Sequence, residues 1–507
     1  MIKSSKKLIS SLLHNNLKNT SVLRNSGIIC CYSSNNQNNN NISNQDNNNQ
    51  DNNNNQDNNN NNTNNNNKII NIQNVKGTHD LFPNEQRIHN FIYDTGRDVA
   101  ERYGFKEIST PIIEPFELFD RSVGEGSDIV MKEMFKFKEY DPKNIGSGPT
   151  ICLRPEGTAG LMRAIINESS TNHLTPTQRY YYQGAMFRYE SPQKGRQRQF
   201  HQLGIEMIGD EHPRSDVETI DMAMEFLEKL GVDTSKTLLK INTLGDSDSI
   251  KAYNEILTQF YQQNREKLSP ISINRLERNN ALRILDSKEK QDIELNKMAP
   301  LMNESLSTKC RDRFKEVLEG LDCLGITYEI DQSLVRGLDY YRHTIFEIQI
   351  IDNPSESQGL AILGGGRYDG LANQIGYKYK EILPSIGWAS GIERIALFLN
   401  EKLIPKPIKP ISIVTTFPTL SINAFKLCSD LRKKGWPTML STYHLEKENI
   451  SKQLKKVINK SDFVIILAPI EFSTNTLIIK NLNEHTQSLV PLNDIEDFLL
   501  KNNISKI

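Results

Sequence analysis

Between Asn84 and Tyr103 apolar side chains recur at Ile88, Phe91, Ile92 and Val99, with Thr95 on the same face, and Gly104 follows. That spacing predicts an amphipathic helix with a glycine stop. A second helix is predicted to carry Ile220, Met224, Leu227 and Leu230 on one face. It ends before Gly231, and Ser215 with Glu218 three residues on reads as its capping box. From about 249 to 322 the pattern stays helical and charged without glycine clusters, which predicts a helical insertion. Pro405, Pro407 and Pro410 mark a linker. After it the pattern predicts a strand over 411–416, a helix ending at Gly435, and strands over 463–467 and 477–480. This is a small α/β domain with a mostly parallel sheet.

The segment 180–208 alternates with a period of two at both ends and has a basic, turn-rich middle, SPQKGRQRQ. Alternate residues of a strand share a face. Leu203, Ile205 and Met207 therefore point to a core, and Gln202, Gly204 and Glu206 point the other way. In the first strand Arg188 and Glu190 share a face with Gly184 and Met186. Two neighbouring antiparallel strands would then present Arg188, Glu190, Gln202 and Glu206 together. The glycines between them fit close approach of a ligand, although an ordinary solvent-facing sheet side reads the same way.

Composition changes the picture mainly at the start of the chain. No Asp or Glu occurs in residues 1–34, where Lys3, Lys6, Lys7, Lys18 and Arg24 lie among Ser, Leu and Asn. Leu8, Ile9, Leu12 and Leu13 form an apolar stripe, the pattern of an organellar transit peptide, with a disordered basic tail as the alternative. Residues 35–67 are mostly Asn and have almost nothing to bury, so they read as a spacer. The folded part then runs from 68, with a first domain to 403 and a second over 404–507. A formal net charge of −1 places any basic surface locally. The six cysteines are scattered apart from Cys30 and Cys31, which predicts a reducing compartment and no structural zinc. No apolar run is long enough to span a bilayer.

The segment 180–208 resembles motif 2 of class II aminoacyl-tRNA synthetases, in the form used by bacterial-type histidyl-tRNA synthetases. Other pieces follow in the family's order. KGTHDLFPNE at 76–85 looks like its N-terminal signature, and 110–137 resembles motif 1. LRPEGTAGLMRA at 153–164 resembles the amino-acid-binding loop. LVRGLDYYRHTIFEI at 334–348 and GGGRYDGL at 364–371 resemble two histidine-specific motifs, and 385–399 resembles motif 3. GGGRYDG has neither P-loop nor dinucleotide-fingerprint spacing. The resemblance implies an α+β core on a mixed, mainly antiparallel sheet, a helical insertion and a C-terminal α/β anticodon-binding domain. It also implies activation of L-histidine by ATP, with Mg2+, and transfer to histidine tRNA by a homodimer. With the N-terminal pattern it implies a mitochondrial protein, with plastid or cytoplasm as alternatives.

The resemblance also implies residue roles. Arg188, Arg336 and Arg394 are the catalytic arginines, set against the α-phosphate, the substrate carboxylate and the distal phosphates. Arg394 follows Gly391 at an expected helix start, where free N–H groups would also favour anions. Glu156, Gly157, Thr158 and Gln202 receive the α-ammonium end of histidine. Glu206 and Tyr341 address the imidazole, and Tyr340 and Tyr368 line the pocket. A carboxylate and a phenol can satisfy both ring nitrogens. Glu190 and Arg196 complete the ATP side, and Lys194, Arg196 and Arg198 face the tRNA. Arg342, His343 and Gly126 depart from the usual family pattern. Two other readings stay open, a non-catalytic regulatory relative and a class II ligase for another amino acid.

Overall fold

The computed structural model describes residues 72–506, except 125–126, 128, 141–147, 169–176, 194, 352–359, 379–381, 416, 442–449 and 505. The stretches 1–34 and 35–67, on which the expected transit peptide and spacer fall, lie outside the described residues, as does Lys194. Residues 72–507 form one compact unit.

The unit is organised around an eight-stranded sheet. Its order is Lys106–Glu107, Gln178–Phe187, Gln199–Ile208, Ser385–Gly391, Leu360–Arg367, Arg342–Ile350, Thr237–Thr243 and Glu329–Ile330. The five inner pairings are antiparallel and the two edge pairings are parallel. The mixed, mainly antiparallel sheet expected above is thus the central element. Leu203, Ile205 and Met207 are fully buried on one face, where Ile92, Val99, Ile220 and Leu227 pack against them. These last four come from helices Pro83–Arg102 and Pro213–Lys229, which supply the apolar stripes read from the sequence. Gly104 and Gly231 follow these helices at φ 78° and 68°, a conformation that disfavours any other residue.

The capping box at Ser215 is not formed. Helix Pro213–Lys229 starts two residues earlier, with His212 as its cap, because proline is favoured at the first helical position. The His212 side chain accepts from the Arg214 N–H, and the Ser215 hydroxyl donates back to the His212 carbonyl. Glu218 instead holds Arg179 through two hydrogen bonds.

The insertion is helical as predicted, from Ser247–Gln263 to Thr308–Cys323 with short helical turns between. It covers the other face of the sheet through a second core that includes Tyr253, Leu257, Tyr261, Tyr340 and Tyr368. The face carrying Gln202, Gly204 and Glu206 is therefore no solvent-facing side. A third core belongs to residues 411–504, around Ile413, Trp436, Ile465 and Leu499. Its five-stranded sheet is not mostly parallel. The Ile411–Val414 strand pairs in parallel with Thr438–Leu440 and Phe463–Ile466. Thr476–Asn481 and Thr486–Pro491 add two antiparallel pairings. Four residues join these last two strands, far too few for the crossover a parallel pair needs.

Candidate functional site

A cleft opens over the polar face of the central sheet. Among its lining residues are Glu156, Thr158, Arg188, Glu190, Arg196, Gln202, Glu206, Arg336, Tyr340, Tyr341, Tyr368 and Arg394. Residues from five separated motifs converge there because adjacent strands carry four of them. In the register of the sheet, Gln202 lies opposite Gly184 and Gly391, and Glu206 lies opposite Gly387.

One end of the cleft is closed and acidic. Glu206 is 1% exposed and accepts hydrogen bonds from the Thr158 hydroxyl at 2.6 Å and from the Tyr368 hydroxyl. Burial pushes its carboxyl up to about 8, against the pull of these two donors, and Glu156 adds to the rise. Gly387 is required beside it, since a Cβ there would overlap the Glu206 carboxylate. Glu156 caps the helix Thr158–Glu168, accepting from the N–H groups of Thr158 at 2.6 Å and Ala159 at 3.0 Å. Burial raises its pKa as well, while those two N–H groups hold it back. The rings of Tyr340, Tyr341 and Tyr368 pack together, with centroids 4.8 and 5.6 Å apart.

The sequence reads Gly204 as room for a ligand to approach, but the structure uses it differently. A Cβ on Gly204 or on Gly157 would overlap the ring of Tyr182, which fills that space. Tyr182 lines the cleft and went unread, because three consecutive tyrosines do not reveal which ring turns inward.

The other end carries the arginines. Arg188 donates from Nε to the Pro155 carbonyl at 2.9 Å and lies over the Phe200 ring. Glu190 stands between Arg188 at 3.9 Å and Arg196 at 3.2 Å. Arg394 donates to the carbonyls of Gly195 at 3.2 Å and Ala361 at 2.7 Å. Burial lowers its pKa, and the nearby charges of Arg196 and Arg188 lower it further. Three like charges gathered this closely are a site for a polyanion. The expected helix at Arg394 is a single turn, Ile392–Ile395, so the side chain rather than a helix dipole supplies the charge. Arg336 joins the two ends. It pairs with Glu347 at 3.4 Å and lies over the Tyr341 ring, and its Nε is buried without a partner. Burial would lower its pKa, but Glu347 and Tyr341 outweigh that and raise it.

Arg367, in GGGRYDG, faces the opposite way. It is fully buried and donates to Asp216, Ser215, Asp369 and the Asp210 carbonyl. The motif is thus a strand that sends Tyr368 into the cleft and ties Arg367 behind it. Arg198 is also tied down: its backbone N–H donates to the Gly77 carbonyl at 2.7 Å, and its guanidinium stacks on Tyr189 at 3.7 Å. His201 and Glu393 form a further pair that the sequence did not single out. Glu393 accepts from the His201 N–H at 3.0 Å and meets its ring Nδ1 at 2.7 Å, with His89 edge-on to that ring. Their donor atoms lie within 4.8 Å of one another, but Glu393 is already engaged by His201, so the cluster reads as a brace next to Arg394.

Sheet and cleft together define a class II aminoacyl-tRNA synthetase core. The family model of the histidyl-tRNA synthetases matches residues 77–395. The chain is 70% identical to a probable mitochondrial histidine–tRNA ligase of Dictyostelium discoideum, over the whole of both chains. It is 40% identical to the histidine–tRNA ligase of Rhodospirillum rubrum, over 85% of this chain and 99% of that one. The crystal structure of apo S. aureus histidyl-tRNA synthetase superposes with a TM-score of 0.68 at 30% identity, covering 84% of this chain and 99% of the other. An ATP phosphoribosyltransferase regulatory subunit/histidyl-tRNA synthetase from Bacillus halodurans shares the fold, at 20% identity and a TM-score of 0.53. The chain belongs to the histidyl-tRNA synthetase family, and its reaction is the ATP-dependent joining of histidine to tRNA. Among the described residues no helix is long and apolar enough to cross a membrane.

Proposed function

We propose that the closed end of the cleft holds histidine, the arginine end holds ATP, and histidyl-adenylate forms between them. The observation that carries this reading is a buried carboxylate, Glu206, and a cluster of arginines facing one continuous space. Glu206 and Tyr341 meet the imidazole, with Tyr340 and Tyr368 as walls. Glu156, Gly157, Thr158 and Gln202 form the ammonium end. The buried Gln202 Oε1 has no protein partner and is free to accept from an ammonium. Arg188 and Arg336 sit at the α-phosphate and the substrate carboxylate, where charge develops during transfer. Arg394 takes the distal phosphates, and Glu190 orients Arg188 and Arg196.

Mg2+ would come with the ATP phosphates, and Glu190 and Glu347, both already paired with arginines, are the carboxylates that would have to turn to hold it. Bound there, the ion would neutralise phosphate charge. Arg196 and Arg198, beside the phosphate end, would meet the acceptor end of the tRNA, with Lys194 of the same sequence segment. Residues 404–507, with their own core, would bind the anticodon. A homodimer is supported by Ile112, Ile113, Met131 and Phe137, apolar side chains of the motif 1 segment that remain exposed. A mitochondrial location is supported by the acid-free start of the chain and by the name of its 70%-identical relative.

The test of the site is ATP–pyrophosphate exchange run across the amino acids. Exchange with histidine alone supports the assignment. Exchange with another amino acid, or none at all with folded protein, overturns it. A regulatory relative would give no exchange.

A further inference from the structure

Tyr182 is held in place more tightly than a wall residue requires. It lies in the middle of the Gln178–Phe187 strand, opposite Gly204 in the register of the sheet. Two glycines from different elements, Gly157 and Gly204, give up their side-chain space to its ring. Either substitution would force the ring out of the cleft. Tyr182 is 3% exposed, and its hydroxyl is buried beside Thr158, whose own hydroxyl is turned to Glu206, so that among the described residues no well-formed hydrogen bond satisfies it. A buried hydroxyl left unsatisfied is costly, so the arrangement points to a partner that arrives with the ligand.

The surroundings say which group that partner is. Burial raises the Tyr182 phenol well above its ordinary value, and Glu206 and Glu156 raise it further, so it stays neutral. A neutral phenol oxygen that feels both carboxylates offers lone pairs to a cation. At the Glu206 end, the carboxylate already takes the Thr158 and Tyr368 hydroxyls, and Tyr341 stands ready for the second ring nitrogen. At the Glu156 end, both carboxylate oxygens accept backbone N–H groups, and the Thr158 proton is committed to Glu206. An ammonium group has three donors to satisfy, and among the described residues lining this cleft Gln202 Oε1 and the Tyr182 hydroxyl are side-chain acceptors that no well-formed protein hydrogen bond occupies.

We infer that the Tyr182 hydroxyl accepts a hydrogen bond from the α-ammonium group of bound histidine and so helps select an amino acid over other imidazoles. The inference rests on the assignment of the closed end to histidine. Tyr182→Phe keeps the ring that Gly157 and Gly204 accommodate and removes only the oxygen. In histidine-dependent ATP–pyrophosphate exchange it should lower kcat/KM for histidine roughly 10-fold, with KM for ATP within about two-fold of wild type. Inhibition of the exchange then locates the contact. Histamine carries the ammonium and the ring, whereas imidazole-4-propionate carries the ring and no ammonium. The variant should raise the Ki of histamine roughly 10-fold and leave that of imidazole-4-propionate unchanged. Its thermal midpoint should not fall, since the hydroxyl makes no well-formed hydrogen bond among the described residues. Unchanged kcat/KM for histidine overturns the inference, as does an equal rise in both Ki values, which would place the oxygen at the imidazole. A fall in thermal midpoint that accounts for the lost activity makes Tyr182 structural and also overturns it. Absence of histidine-dependent exchange in the wild type is a separate result, which strikes the assignment of the cleft itself.

Discussion

At the closed end of the cleft Glu156, Thr158, Glu206 and the tyrosines are buried, and both carboxylates are held by neighbouring groups. Glu206 takes two hydroxyls, Glu156 takes two backbone N–H groups, and three tyrosine rings exclude water. At the open end Arg188, Arg196 and Arg336 keep 22%, 33% and 22% of their side chains exposed. Arg188 and Arg394 are steadied by main-chain carbonyls and keep N–H groups free. The difference follows from what each end must bind. A small amino acid is told from its competitors by polar groups that become stranded when the wrong one enters, which requires burial. A triphosphate is recognised by charge, which requires donors that are positioned yet unspent. Arg367 marks the contrast within one residue type: all its partners are protein atoms, and it has nothing to offer a ligand.

Removing a charge at the open end should have the largest effect. Arg188→Ala is expected to lower kcat of activation by roughly 10²–10³-fold with thermal stability unchanged, read by ATP–pyrophosphate exchange and a melting curve. Arg367→Met should do the reverse. It leaves Asp216 and Asp369 without this partner and is expected to cost about 3 kcal/mol in denaturant unfolding, while activity per folded molecule changes little. If Arg367→Met lowers activity without lowering stability, the division between tied and free arginines fails.

Smaller effects sharpen the closed end. Glu206 titrates near 8 in the folded protein against an ordinary value of 4.5. Between those values the folded state holds a proton that the unfolded chain has released, so ligand-free stability falls as pH rises through that window. Glu206→Gln lacks this loss. Its melting temperature should match wild type at or below about pH 4.5 and exceed it increasingly up to pH 8. A constant difference across the window would contradict the burial assigned to this carboxylate. The smallest effect is expected at Arg198, which the Tyr189 ring already occupies. Arg198→Ala should reduce kcat/KM for tRNA by roughly 3-fold, with a shallower salt dependence, and leave histidine activation unchanged.

The period-two alternation of residues 199–208 was enough to separate Leu203, Ile205 and Met207 from Glu206, because a strand allows only two faces. The helical stripes and their glycine stops were legible for the same local reason. What escaped depends on partners far apart in sequence. Tyr182 enters the cleft through Gly157 and Gly204, 25 and 22 residues away. Glu393 is organised by His201, 192 positions distant. Ser215 looked like a cap because the Ser-x-x-Glu spacing was present, but Pro213 had already fixed the helix start, and buried Arg367 recruited the serine. In the C-terminal sheet the final hairpin was missed because Thr486–Pro491 is largely exposed and lacks an apolar stripe.

The most direct test of the central claim is a histidine titration of Glu206→Gln in ATP–pyrophosphate exchange at saturating ATP, paired with an ATP titration at saturating histidine. The substitution keeps the size of the side chain and removes the ionisable carboxyl from the closed end alone. The account predicts that kcat/KM for histidine falls roughly 10²-fold or more while KM for ATP stays within about two-fold of wild type. Normal histidine activation, or an equal loss on both substrates, would contradict the separation of the two ends.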